Sequence, residues 1–131
     1  LAMREHSCAE LRTKLLNKNH DEAIVDRLIV ELLEHDYVSD HRFAESYWRS
    51  RSAKGYGADR ITRELSLKGV SDAVIAQAKA EAGVDFFAVV EGVYLKKYKG
   101  EPWSDFKEKA KRQGFLYRRG FATEYIRHVI D

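Results

Sequence analysis

A phrase of eleven residues occurs three times in this chain at a nearly constant spacing. It reads LSLKGVSDAVI at 65–75, LYRRGFATEYI at 116–126 and, in a weaker copy, LLNKNHDEAIV at 15–25. The hinge positions Asn19, Gly69 and Gly120 therefore stand 50 and 51 residues apart. A fixed period of this size indicates an array of one supersecondary unit, whose copies bury their apolar faces by stacking. Such an array favours a binding surface over an active-site pocket.

Each copy of the phrase predicts the end of one helix, a left-handed hinge and the start of the next helix. Glycine adopts the positive φ of such a hinge without strain, and asparagine does so at little cost. Apolar residues recur at helical spacing on either side, also in the Val-rich stretch from Asp85, where this spacing favours helix over strand. We expect N-terminal helix caps at Ser7, Asp21, Asp40 and Ser71. We expect the second helix to bury Ile24, Leu28, Ile29, Leu32 and Leu33.

These features predict an all-α fold. We expect tandem three-helix repeats stacked into an elongated array that curves to the right or to the left, with the last repeat incomplete. Breaks at Gly55 and at 99–102 divide the chain into a first repeat at 1–55, a second at 56–100 and a two-helix third at 101–131. Because 44% of the 131 residues are hydrophobic, we expect the repeats to pack into one continuous structural unit.

Residues suited to catalysis or metal binding do not gather into a recognisable site. His35 and His41 are six residues apart, whereas two metal ligands on one helix face need a spacing of three or four. Cys8 has no neighbouring His–acid arrangement that would activate it. Residues 55–57 follow a predicted helix and lack the Lys and Ser or Thr of a phosphate-binding loop. We therefore expect no enzymatic activity, no metal and no cofactor.

Two further features bear on where the protein acts. A single cysteine cannot form an internal disulfide, which is typical of a reducing compartment. No apolar run approaches the roughly 18 residues of a membrane span, and no secretory signal opens the sequence. These features predict a cytoplasmic protein that does not bind membranes.

The net charge is only +2, but the basic residues are unevenly placed. Residues 1–48 hold six basic and ten acidic residues, whereas 49–131 hold 17 and 11. One basic cluster spans 49–68 and a second spans 96–119, with local net charges of +4 and +6. Each cluster straddles a predicted helix junction, so the end of one repeat and the start of the next share a basic face. Such a face suits phosphate groups or a carboxylate-rich protein surface.

Charge alone does not choose between these two kinds of partner. Trp48 and Tyr56, which lie beside basic residues, suit a core position and a ligand contact equally. A helix–turn–helix interpretation would make the helix after Gly69 the recognition helix. Residues 71–82 hold one Gln but no Arg or Asn, so this helix is a poor reader of base edges. Two interpretations stay open, a protein-interaction module and a helical module that binds the phosphate backbone of nucleic acids.

Several short motifs follow one another in a set order along the chain. They are Ser7 to Leu15, Tyr37-Val38-Ser39-Asp40, Arg42-Phe43-Ala44, Arg51, Lys54-Gly55-Tyr56-Gly57, Arg60-Ile61, Glu64-Leu65, Lys68-Gly69-Val70 and the segment 115–121. No single motif is specific, but the ordered set resembles the RecX family, which are bacterial regulators of the RecA recombinase. The resemblance covers nearly the whole chain and implies the same tandem three-helix fold.

The resemblance also implies a cytoplasmic protein that binds the RecA–DNA filament. It would act mainly as an inhibitor that lowers strand exchange, DNA-dependent ATP hydrolysis and SOS co-protease function. The implied partner is the RecA filament. From the basic clusters we also expect contacts with single- or double-stranded DNA through phosphates, and we expect the protein to be a monomer. The family's motifs map mostly onto packing positions and helix joints, so we predict the interface from expected exposure instead. The expected partner-binding residues are Arg49, Arg51, Lys54, Tyr56, Arg60, Arg63, Lys96, Lys97, Lys111 and Arg112.

Overall fold

The computed structural model of the protein describes residues 5–35 and 38–131. Within these residues the chain forms eight α-helices and no strand. The helices are α1 (Cys8–Asn17), α2 (Glu22–Glu34), α3 (Asp40–Ala53), α4 (Ala58–Leu67), α5 (Asp72–Ala82), α6 (Phe86–Tyr98), α7 (Phe106–Arg118) and α8 (Thr123–Val129). The predicted all-α class is confirmed, and the Val-rich stretch after Asp85 is helical, as its spacing predicts.

The chain divides into two compact units. The first takes its described residues from Leu1–Trp48 and Glu64–Ala82, and the second consists of Arg49–Arg63 and Gly83–Asp131. Helices α3 and α4 each contribute residues to both units. The first unit therefore holds α1, α2 and α5 with parts of α3 and α4, and the second holds α6 to α8 with the remaining parts.

The three hinges of the repeated phrase adopt the expected left-handed conformation. Asn19, Gly69 and Gly120 have φ values of 64°, 84° and 99°. At both glycine hinges the chain closes with the same two hydrogen bonds. The N–H of the glycine donates to the carbonyl three residues earlier, and the next N–H donates to the carbonyl five residues earlier. This pairing satisfies helix carbonyls that would otherwise lack a donor, so each hinge ends its helix at a defined residue.

The expected caps are confirmed at Ser7, Asp21 and Ser71, whose side-chain oxygens accept backbone N–H groups of the following turn. The expectation for Asp40 is wrong. Ser39 caps α3 instead, since its hydroxyl accepts the N–H of Arg42 at 3.1 Å. With the cap one residue earlier, the Asp40 carboxylate is free to accept the N–H of Cys8 at 2.7 Å, at the start of α1.

The core of the first unit is built around Trp48, which is completely buried. Its indole N–H donates to the carbonyl of Ile75 at 3.1 Å, so the ring is both packed and hydrogen-bonded. Of the two roles that the sequence left open for Trp48, the core position is the one observed. The other fully or nearly buried apolar residues of this unit are Val25, Val38, Phe43, Ala44, Leu65, Val70, Ile75 and Ala78.

The expected apolar side of α2 needs correction. Val25 is its buried residue, with 2% of its surface exposed, whereas Ile24, Leu28 and Leu33 are 61%, 39% and 46% exposed. Val25 occupies the same place in the repeated phrase as Ile75 and Ile126, which are also buried. The repeat therefore identifies the buried position of this helix more accurately than helical spacing does.

The single cysteine, Cys8, is half-buried at the first turn of α1 beside Asp40. Its removal from water, together with the negative charge of Asp40 and a hydrogen bond to that carboxylate, raises the pKa of the thiol to about 11.

At pH 8 roughly one thiol in a thousand is then ionised, and we expect disulfide exchange with DTNB to be about a hundredfold slower than for free cysteine. Asp40→Asn should speed the reaction, while Asp72→Asn should not. A Cys8 that reacts as fast as free cysteine would refute this description.

The second unit packs α6, α7 and α8 around a core of its own. The ring of Phe87 on α6 lies 4.6 Å from that of Tyr125 on α8, and Glu91 pairs with His128 one turn further along. The buried apolar residues of this unit are Ala58, Ile61, Phe86, Val90, Leu116, Phe121, Ile126 and Ile130. Among the described residues no helix is both long and apolar enough to cross a membrane.

Candidate partner-binding site

Two chain segments meet backbone to backbone in the second unit. The N–H of Gly57, just before α4, donates to the carbonyl of Arg119 at 2.8 Å, and the N–H of Asp59 donates to the carbonyl of Gly120 at 3.0 Å. A Cβ atom on Gly57 would lie 2.4 Å from the Gly120 carbonyl, and one on Gly120 would lie 2.3 Å from the Cβ of Arg60. We call this contact the glycine joint. Its closeness explains why both positions lack a side chain.

Beside the glycine joint, three guanidinium groups surround the ring of Tyr56. The central carbons of Arg51, Arg60 and Arg119 lie 4.1, 4.3 and 4.7 Å from the centre of the ring. The negative π-face of the ring attracts each cation and partly offsets their mutual repulsion. Arg119 also donates to the carbonyl of Lys54 at 3.3 Å. This arginine cluster brings together planar donors of the kind that recognise carboxylates and phosphates.

A cavity of about 320 Å³ adjoins the arginine cluster and shares Arg119 with it. Lys54 and Lys96 contribute to its wall, so each of the two basic clusters of the sequence supplies a cation. The other lining residues are mostly small or apolar. They are Ser52, Ala53, Gly55, Ala88, Val89, Gly92, Val93 and Phe115.

All ten residues expected to bind a partner lie in the second unit. Arg51, Tyr56 and Arg60 form the arginine cluster with Arg119, whereas Lys54 and Lys96 line the cavity. Lys97 lies 4.6 Å above the ring of Phe115. Arg49, Arg63, Lys97 and Lys111 are exposed on the same unit. Whether these residues bind a partner stays a prediction.

The expectation that Arg112 is exposed is wrong, because the residue is buried. Only 3% of its surface is accessible, and its guanidinium donates to the Tyr94 hydroxyl at 2.7 Å, the Glu101 carbonyl at 2.8 Å and Glu108 at 2.7 Å. It also lies 4.3 Å from the centre of the Tyr98 ring. These contacts fasten α6, the 99–105 connection and α7 together. Arg112 therefore has a structural role in this unit, and we leave it out of the proposed interface.

Glu108, which accepts from Arg112, gives this region a pH dependence. Hydrogen bonds from the hydroxyl and N–H of Ser104, and then the bond from Arg112, lower the pKa of Glu108 to about 2. A carboxyl whose pKa falls on folding stabilises the fold fully above its unfolded value, near 4.5, and loses that contribution as the pH falls towards 2. We expect Ser104→Ala to raise this pKa, measured by carbon NMR of the side-chain carboxyls from pH 2 to 6. A pKa of Glu108 that is unchanged in Ser104→Ala would contradict the role given to Ser104. The control signal is that of Glu124, which lies outside this group and is identified by its loss in Glu124→Gln.

Sequence reasoning missed Arg119 and Phe115 as members of the site. Arg119 belongs to the second basic cluster, but its position next to the hinge Gly120 suggested only the end of a helix. The signal that would have identified it is the equivalent position of the phrase, where Lys18, Lys68 and Arg119 are all basic. In the third copy this basic residue is Arg119, a member of the arginine cluster.

A group of possible metal ligands lies away from this site, in the first unit. His41, Glu45 and Glu81 place one ligand atom each within 4.8 Å of one another. His41 and Glu45 are four residues apart on α3, a spacing that places both on one helix face. The His41 imidazole nitrogen lies 2.7 Å from a Glu81 carboxylate oxygen, so an ion pair or hydrogen bond between α3 and α5 explains the group.

The fold and the site define an all-helical protein built from repeated helix–hinge–helix elements, with an arginine cluster and an adjoining cavity in one unit. The chain belongs to the RecX family of regulatory proteins. The family models described as the first, second and third three-helix domains of RecX match residues 1–32, 39–78 and 85–130. These matches group α3 with α4 and most of α5, and α6 with α7 and α8. The repeat boundaries at 55 and 100 stay a prediction.

Curated relatives agree with this family, and solved structures share its fold. The regulatory protein RecX of Vibrio vulnificus is 41% identical over 131 residues, which is all of this chain and 86% of the relative. That of Shigella sonnei is 41% identical over 140 residues, covering 98% of this chain and 84% of the relative. A crystal structure of RecX from Lactobacillus salivarius is similar over 98% of this chain and 85% of its own, with 23% identity and a TM-score of 0.72. Another RecX crystal structure gives a TM-score of 0.79 at 21% identity, over 95% of this chain and 63% of its own.

Proposed function

We propose that this protein regulates the RecA recombinase, mainly as an inhibitor, by binding the RecA–DNA filament. Membership of the RecX family of regulatory proteins is the observation that carries this proposal. Binding would lower strand exchange, DNA-dependent ATP hydrolysis and SOS co-protease activity. The protein would act in the cytoplasm as a monomer, without a cofactor and without catalysis of its own.

The cationic face of the second unit is the proposed contact with the filament. It comprises the expected binding residues without Arg112, together with Arg119. A RecA–DNA filament contains DNA phosphates and protein carboxylates, and guanidinium groups donate hydrogen bonds to the anionic oxygens of both. Because the ring of Tyr56 already orders three guanidinium groups, less side-chain freedom is lost when they bind such acceptors.

The two basic clusters also favour a second candidate function, a helical module that binds nucleic acids through their phosphates. Salt dependence separates the two. Phosphate binding releases condensed counterions, so its affinity falls steeply and linearly on a logarithmic salt scale, whereas a mixed protein interface is less sensitive. The nucleic-acid proposal predicts equal affinity for bare DNA and for the RecA filament, with the same steep slope.

The proposed function is tested by adding the purified protein to RecA on single-stranded DNA and measuring ATP hydrolysis. We expect the rate to fall as the protein approaches stoichiometric ratios to RecA, and the fall to be smaller in the presence of high salt. Unchanged ATP hydrolysis and unchanged filament assembly at stoichiometric excess would refute the regulatory proposal. Binding to DNA alone, with no effect on RecA, would favour the second candidate.

A further inference from the structure

The cavity beside the arginine cluster has a chemistry more specific than its positive charge. We propose that it is a binding subsite for an acidic side chain of the partner protein that is flanked by an apolar residue. This inference rests on the proposed function, because it takes the partner to be a protein, and it specifies which feature of that partner is recognised.

Three basic residues line one small space. Lys54 directly follows α3, Lys96 belongs to α6 and Arg119 directly follows α7. The Nε atom of Arg119 is buried and has no hydrogen-bond partner among the described residues. Its Nη2 atom is held by the carbonyl of Lys54. A carboxylate in the cavity would be attracted by all three cations and would accept from the guanidinium.

The remaining wall argues for a protein segment over a nucleic-acid backbone. Val89 and Val93 of α6 lie in this wall with Phe115 of α7. A phosphodiester chain is charged and hydrated along its length, so it would leave these apolar side chains uncovered or against water. An acidic residue next to an aliphatic one matches both parts of the wall. The volume of about 320 Å³ lies at the lower end of small-ligand pockets, which suits one or two side chains.

The glycines of the wall keep this space open. At Gly55, which has φ of 89°, a Cβ atom would lie 2.9 Å from Arg119 Nη2 and 2.9 Å from a methyl group of Val93. Gly92, on the middle of α6, lies in the wall, and a Cβ atom there would meet no atom within 4 Å. Gly92 therefore offers a position where a larger side chain occupies or covers the cavity without a backbone clash.

The test uses the full chain and two peptides that differ in one charge. The probes are acetyl-Ala-Leu-Glu-Leu-Ala-amide and the same peptide with Gln in place of Glu. The binding of each is followed through the backbone amide signals of the protein in nitrogen–proton correlation NMR. We expect the Glu peptide to shift the amide signals of Gly55, Gly92 and Arg119 in a saturable manner at roughly millimolar concentration. We expect the Gln peptide to shift them at least tenfold less at the same concentration.

Substitutions at Gly92 supply the matched variants. Gly92→Leu fills the space and Gly92→Glu places a carboxylate there, so both should abolish the shifts at Gly55 and Arg119 caused by the Glu peptide. Gly92→Ala adds one methyl group and should retain them. Circular dichroism and melting temperature establish that each variant is folded, which is expected because alanine, leucine and glutamate favour a helix more than glycine does.

The outcomes separate this inference from the proposed function, because the peptide readout does not involve RecA. Equal shifts with the Glu and Gln peptides, or no shifts at all, would overturn the subsite while leaving inhibition of RecA untouched. Equal or larger shifts with inorganic phosphate at the same concentration would assign the cavity to phosphate and would also overturn it. Retention of the shifts in a folded Gly92→Leu variant would place the peptide elsewhere and contradict the inference.

Discussion

Replacing Gly57 by alanine is expected to open the glycine joint and to destabilise the protein. The added Cβ atom would lie 2.4 Å from the carbon and oxygen of the Gly120 carbonyl and 2.7 Å from the nitrogen of Phe121. These are backbone atoms, so they cannot move aside by changing a rotamer. Moving the segments 57–59 and 119–120 apart would also weaken the hydrogen bond from the N–H of Gly57 to the carbonyl of Arg119. Overpacking and a lost hydrogen bond together should lower the free energy of unfolding by about 2–4 kcal/mol.

Urea denaturation followed by circular dichroism measures this change, and Gly92→Ala is its matched control. Gly92 lies in α6 and a Cβ atom there meets no neighbour within 4 Å, so the same substitution should be neutral or stabilise by up to about 1 kcal/mol. A Gly57→Ala variant as stable as the wild type would mean that the joint is looser than described. If the joint positions the arginine cluster, Gly57→Ala should also weaken RecA binding.

The second large effect is expected for Trp48→Ala in the first unit. No part of Trp48 is accessible to solvent, and its indole N–H donates to the carbonyl of Ile75. Truncation leaves a large cavity and removes this donor, so the free energy of unfolding should fall by about 3–5 kcal/mol. Guanidinium chloride denaturation measures the change.

Trp103→Ala is the control for this substitution, since Trp103 is partly exposed, in the connection before α7. It should cost much less stability, and it leaves Trp48 as the only tryptophan. The fluorescence of that variant should then report a buried indole that becomes exposed on unfolding. A cost for Trp48→Ala no larger than that for Trp103→Ala would contradict the position of Trp48 in the core.

The features that the sequence predicts well are those governed by neighbouring residues. A glycine or asparagine hinge depends on the φ of one residue, and the hinges at Asn19, Gly69 and Gly120 are all confirmed. Most caps follow the same local rule. Asp40 does not, because Ser and Asp are adjacent at the start of α3 and either can cap it. In the fold the Asp40 carboxylate accepts the N–H of Cys8, 32 residues earlier, and the Ser39 hydroxyl caps α3.

The features that the sequence predicts poorly depend on residues far apart in the chain. Tyr56 and Arg119 meet because the glycine joint brings 57–59 against 119–120, a contact that no local pattern contains. Arg112 is counted with exposed cations because its sequence neighbours are basic, although Tyr94 and Glu101 enclose it in the fold. Charge composition therefore predicts which unit is cationic but not which of its cations are accessible.

The cationic face of the second unit is our proposed contact with the RecA filament. The most direct measurement compares filament affinity for the wild type and for the triple variant Arg63→Glu, Lys97→Glu, Lys111→Glu. These residues are exposed and none lines the cavity. The matched control is Lys14→Glu, Lys18→Glu, Arg27→Glu, which changes the net charge equally on exposed residues of the first unit.

We expect the dissociation constant of the first variant from RecA on single-stranded DNA to rise about tenfold or more, because reversed charges at an interface both slow association and repel the partner. We expect the control variant to change it by less than about threefold, as uniform repulsion between distant, screened charges would. Circular dichroism should show both variants to be helical and folded. A folded first variant that binds as tightly as the wild type, or a control that loses as much affinity, would contradict the proposed face.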